Sequence, residues 1–188
     1  MKYKNESNGG NYFNSKYIIL METELEHVLI SNYKVGMISY LNTHPEYFEE
    51  AIKLAISNKQ PYAWRAAWLL WSCMKVNDQR IKKYIKEIVN SIKPKKDGHQ
   101  RELIKILLQM DLDKKYEGIL FNICLDLWEQ INKDPSVRFT AFKFIIKIVK
   151  KHPDLTKEIT FITQDQYLET LSPAVKKSIS KMMKGIIL

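Results

Sequence analysis

Cysteine is almost missing from this chain: Cys73 and Cys124 are its only two. Both sit inside apolar helical runs, with no CxxC spacing and no Cys/His cluster. That excludes a disulfide framework or a zinc ligand set and fits a reducing compartment, each cysteine reading as a small core residue. Glycine is scarce too, and the six present make neither GxGxxG nor GxxxxGK[ST], so no phosphate cradle is encoded. No apolar stretch approaches the roughly 20 residues of a membrane span. Near the N-terminus the longest apolar run, Ile18 to Met21, is too short for a signal-peptide core. A cytoplasmic chain without a membrane partner is expected. The polar, Asn/Gly-rich residues 1–20 read as an N-terminal tail, and residues 21–188 as one domain, of a size that buries roughly 70% of its unfolded surface.

Catalytic equipment is equally thin. His27, His44, His99 and His152 form no HxxxH pair and have no acidic partner at ligand spacing. No catalytic residue, metal ligand or cofactor is therefore expected. Asp126 is the one acid embedded in an apolar helix, and it reads as a surface residue beside Asn122 and Glu129.

Of the six prolines, five read as first-turn helix residues: Pro45, Pro61, Pro135, Pro153 and Pro173. Proline suits that position because its missing N–H would be an orphan there, and Asp134 and Ser172 just before two of them are good caps. Pro94 reads as a helix end. Between these marks apolar residues recur at helical spacing, as in Ile81, Tyr84, Ile85, Ile88 and Ile92, and no segment alternates as a strand would. The expected helices are 23–31, 33–43, 46–57, 62–76, 79–92, 98–110, 114–131, 136–151, 154–164 and 173–185.

These helices come at a period. SYLNTHPEYFEE (39–50) is echoed by KIVKKHPDLTKE (147–158), three periods of 36 residues further on. A basic residue near the start of every second helix repeats the beat: Lys34, Arg65, Arg101, Arg138 and Lys176. One helix pair cannot bury its apolar faces alone and must stack on its neighbours. DPSVRFTAFKFIIKIVKKHPDL, and more loosely QPYAWRAAWLLWSCMKV and DGHQRELIKILLQM, resemble the second helix of HEAT or armadillo-type repeats, in which an Asp/Pro turn leads into V-R-x-x-A and an apolar run. The resemblance implies an all-α, right-handed α-solenoid of about five antiparallel helix pairs, with second helices lining a concave face that holds a partner.

AWRAAWLLW (63–71) sets Trp64, Trp68 and Trp71 on one stripe of a helix whose other side carries Ala63, Ala66, Ala67 and Leu70. A helix apolar nearly all round is buried on two sides. Trp64 and Trp71 are expected in the core, with Trp68 at the groove. In the helix from Ser136 to Lys151 one polar line remains, including Thr140, Lys143 and Lys147. Its cations either solvate an exposed edge or line a groove. Lys82 and Lys86 read as a solvated outer face.

The net charge of +9 is uneven: six acids oppose one lysine over residues 22–50, whereas ten Lys/Arg oppose four acids over 75–105. The leading expectation is a non-catalytic scaffold that recognises a protein or peptide along the concave face through Arg65, Trp68, Arg101, Arg138, Lys143 and Lys147. A second is nucleic-acid binding, on a resemblance to the HEAT-like-repeat DNA glycosylases for alkylated bases, which implies a basic, aromatic groove and carries no catalytic residue over to this chain. A third is an accessory subunit docking end to end.

Overall fold

The computed structural model describes residues 22–186, and helices with short turns account for all of their regular structure, with no strand among them. The expected tail, residues 1–20, lies outside the described residues. In chain order the helices are α1 (Glu24–Ser31), α2 (Lys34–Thr43), α3 (Phe48–Ile56), α4 (Tyr62–Cys73), α5 (Gln79–Lys82), α6 (Ile85–Ser91), α7 (Asp97–Leu108), α8 (Lys114–Glu129), α9 (Pro135–Lys151), α10 (Thr156–Ile162), α11 (Asp165–Leu168) and α12 (Pro173–Lys184).

Local chemistry accounts for most of these boundaries. Thr23 and Glu26 close a reciprocal capping box on α1. Asp134 accepts from the Ser136 N–H at 2.7 Å, and Ser172 accepts from Val175 N–H at 3.4 Å, each directly ahead of a proline at the first helical position. The two echoed segments adopt one local structure. In both, a helix ends at a histidine, His44 or His152, whose N–H bonds four residues back, and a single 3-10 turn opened by proline leads into the next helix.

Two expectations are corrected. The helix expected over 79–92 is broken into α5 and α6, where the Tyr84 N–H bonds to Ile81 O instead of continuing the α pattern. Beside the break, Tyr84 Oη and Lys83 Nζ both donate to Glu49 of α3, at 2.6 and 3.0 Å. The short α11 was not anticipated; four residues are too few for a periodic signal to stand out.

Packing is in two layers. α4, α7 and α9 lie side by side in chain order; α3, α6 and α8 form the other layer; and α3 pairs with α4, α6 with α7, and α8 with α9. α1 and α2 pack on α4. Ala63, Ala66 and Ala67 are fully buried, and their small size lets neighbouring helices approach α4 closely. The tryptophan at the centre of the core is Trp128, outside the stripe singled out in sequence. It has no exposed surface, its ring lies 4.6 Å from that of Phe142, and its Nε1 donates to Ile162 O at 2.8 Å.

Cations tie consecutive repeats together. Arg65 donates to Leu29 O and Asn32 O at the end of α1. Lys95 reaches Ile56 O and Ser57 O at the end of α3, and Lys147 donates to Leu108 O and Met110 O at the end of α7, at 3.0 and 2.9 Å. Arg138 donates from Nε to Trp128 O at 2.9 Å, from one terminal nitrogen to Tyr167 O at 2.6 Å, and from the other to Thr170 Oγ1 at 2.8 Å. The last carbonyls of a helix have no partner within it and carry the negative end of its dipole, so a long cationic side chain from the next repeat satisfies both needs. Lys59 to Glu26 and Lys133 to Asp97 at 2.7 Å fasten the turns before α4 and α9 in the same way.

Trp128→Ala should lower the unfolding free energy by about 3 to 5 kcal/mol through the cavity it leaves. Urea titration checks this, with Trp64→Ala as the mild comparison. Arg138→Lys keeps the charge but not the planar fork, and should cost about 1 to 3 kcal/mol for the carbonyls left without donors.

Candidate functional site

α4 places Trp68 at a cleft as expected but leaves Trp64 and Trp71 less buried than expected. Trp64, assigned to the core by its place in an apolar helix, is 39% exposed; Trp68 and Trp71 are half-buried. The reason is rotational: Ala63, Ala66 and Ala67 occupy the fully buried side of α4, which packs on α3 and α7, and Trp64 is left on the open side. Trp71 is held down because its Nε1 donates to Glu102 of α7, a carboxylate without exposed surface that also accepts from Arg101 Nε at 2.7 Å and Lys105 Nζ at 3.1 Å. Three donors satisfy that buried charge.

Around Trp64 the chain forms two clefts. The first, about 580 Å³, lies between the α1–α2 turn and α4, with Tyr33, Lys34, Trp64, Arg65, Trp68 and Arg101 on its walls. Lys34 Nζ stands 5.6 Å from the Trp68 ring, and the Arg65 guanidinium 5.7 Å from that of Trp64. A second cleft of about 580 Å³ lies on the other flank, walled by Pro61, Pro94, Lys95, Lys96 and His99 as well as by Trp64 and Arg101 again. Trp64 is thus a ridge between two hollows. Among the described residues neither has a carboxylate on its wall.

Of the six residues singled out in sequence, Arg65, Trp68 and Arg101 meet in the first cleft. Lys143 and Lys147 line a separate depression of about 750 Å³ beside α9, together with Asp111 and Glu117. There Lys147 is committed to carbonyls of the α7 end, burial holds its pKa below the usual lysine value, and Lys143 lies 4.6 Å from the Phe139 ring. Arg138 is a correction. It has no exposed surface, its guanidinium is taken up by two backbone carbonyls and the Thr170 hydroxyl, and burial draws its pKa down from the usual arginine value. Asp126 is exposed and pairs with Lys93 at 3.1 Å.

Sequence reasoning missed Tyr33, which is 92% exposed, and the role of Lys34 beside it. A signal was available: Tyr33 occupies the N-cap position of α2 and makes no side-chain cap bond, where Ser, Thr, Asp or Asn would normally stand. Lys96, exposed at the N-cap of α7, had no comparable signal.

His99, on the wall of the second cleft, is 3% exposed, with Nε2 at 2.7 Å from Ala55 O and Nδ1 at 3.2 Å from Gln60 Nε2. Only the neutral ring with its proton on Nε2 serves both bonds. Burial lowers its pKa below the ordinary 6.5, and the charge of Lys95 adds to this. The unfolded chain therefore takes up the proton first. Stability from this group is complete above about pH 6.5 and is lost as pH falls through the lower folded-state value. Urea unfolding followed downward from neutral pH should show that decline, and His99→Gln should flatten it.

A family model described as HEAT repeat domain matches residues 21–186, and the chain belongs to that family. HEAT repeats generally mediate protein–protein interaction or scaffolding. No curated protein and no solved structure matches the chain. Among the described residues no helix is long and apolar enough to cross a membrane.

Proposed function

We propose that this chain is a non-catalytic binding module, a single right-handed solenoid of about five helix pairs over residues 21–188. Its partner is a protein or peptide held against the open side of α4, α7 and α9. The observation that supports this reading is the exposed Trp64 between two clefts whose walls, among the described residues, carry cations and no carboxylate. Exposed aromatics beside arginine are the residue types that dominate binding energy at protein interfaces. Arg65, Trp68 and Arg101 are the proposed contacts from the sequence, joined by Trp64 and Lys34; Lys143 belongs to an outer part of the surface. Cytoplasmic residence fits the free thiols of Cys73 and Cys124.

Nucleic acid is the second reading, favoured by the net charge of +9. It is weaker because half of the lysine line of α9 is committed: Lys147 to carbonyls, and Lys151 to Glu117 at 2.6 Å. Phosphates need a continuous track of free cations.

Selection of a random displayed-peptide library against the folded protein tests the leading reading. Selected peptides should lose about tenfold or more in affinity when Trp68 is replaced by Ala. They should be unaffected by Lys82→Glu with Lys86→Glu, two exposed positions that line neither cleft. Failure to select any peptide, or selection of peptides indifferent to Trp68, overturns the reading.

A further inference from the structure

Three features at the ridge bear on what the partner looks like. The first is uncompensated charge. Lys34 and Lys96 are exposed, stand in different clefts, and pair with no carboxylate among the described residues. Arg65 adds a guanidinium whose bonds go to neutral carbonyls and so leave its charge unbalanced. By contrast Lys59, Lys83, Lys93, Lys105, Lys133 and Lys151 each have an acidic partner.

The second feature is exposed apolar surface in the same place. Tyr33 at 92%, Ile30 at 46% and Trp64 at 39% stand open around the first cleft, and Pro61 and Pro94 face Trp64 across the second. Such a patch with a charged rim is characteristic of interaction sites. The third is duplication: two hollows of about 580 Å³ share the Trp64 ridge and the Arg101 side chain, and each is large enough for a bulky side chain and the chain that carries it.

Taking the protein-binding reading above as its basis, we propose that the partner is an acidic peptide segment straddling Trp64. It seats one large apolar side chain in each cleft and sets flanking carboxylates against Lys34 at one end and Lys96 at the other. The apolar side chains supply the affinity by displacing water from the indole ridge. The carboxylates supply selectivity, because a basic flank meets uncompensated like charge at both ends. A nucleic acid strand is disfavoured by the geometry. Its phosphates would find the cations of the two clefts separated by the apolar Trp64 ridge rather than in one row.

Fluorescein-labelled synthetic peptides, read by anisotropy, test this. One series carries two leucines at varied separation within an Asp/Glu sequence. A second replaces the acids by lysine, a third replaces either leucine by glycine, and a thymidine oligonucleotide of similar length is the non-peptide polyanion. The acidic two-leucine peptide of best spacing should bind, and loss of either leucine or replacement of the acids should weaken it about tenfold. Lys34→Glu and Lys96→Glu should each weaken the acidic peptide and strengthen the lysine-flanked one. Trp64→Ala should abolish the benefit of both leucines. These three side chains are exposed, so the variants should retain the thermal midpoint of the parent.

Equal binding of acidic and basic peptides, silence of both charge reversals, or tighter binding of the oligonucleotide through the same lysines overturns the proposal. So does self-association that Trp64→Ala disperses, which would assign the clefts to a second copy. If library-selected peptides need Trp68 yet prove neutral or basic, the partner chemistry fails while the binding-module reading stands. If no library peptide is selected, that reading fails too.

Discussion

The architecture depends on closing the ends of its helices. Every helix in a stacked-pair protein terminates at the edge of the stack with carbonyls that nothing within the helix can satisfy, and the next repeat is the nearest source of donors. Here that source is cationic. Arg65, Lys95, Arg138 and Lys147 each reach back or across to the carbonyl end of a neighbouring helix, and Lys59 and Lys133 fasten turns through carboxylates. Of the basic residues that recur at about 36 residues, Arg65 and Arg138 belong to this device.

The excess of positive charge takes on a different meaning in consequence. About half of the cations among the described residues hold a carbonyl or balance an acid, and the others, Lys75, Lys82, Lys86, Lys143 and Lys150 among them, do neither. Electrostatic recognition belongs to the cations that do neither. Lys34 and Lys96 stand out because they flank the one place where an indole is also exposed. A groove lined throughout by cations would have suited a polyanion; isolated cations beside apolar hollows suit a mixed apolar and acidic chain.

The tryptophans divide by the same geometry. Trp128 lies where three elements meet and fills the core, whereas α4 buries its alanines, half-buries Trp68 and Trp71 and turns Trp64 outward. Glu102 links these roles. Its buried carboxylate fixes Trp71, Arg101 and Lys105 in one arrangement and so makes the middle of the surface rigid. A rigid platform beside the exposed turn of Ser31 to Tyr33 suits the gripping of an extended segment.

Helix positions, caps, the repeat period and the family were legible in the sequence because they rest on local chemistry: the 3.6-residue apolar spacing, prolines that suit a first turn, and Asp134 and Ser172 ahead of them. What could not be read was the direction each side chain faces once the pairs are stacked. Arg138 and Arg65 occupy matching places in the repeat, yet one is sealed between α8 and α11 while the other borders a cleft. Trp64 sits in a run apolar on nearly every side, and only the packing of α3 and α7 against its alanines determines which side stays open. Periodicity specifies that a helix has a buried stripe; the rotation of that stripe, and so the identity of the surface left for a partner, is fixed by neighbours far away in the chain.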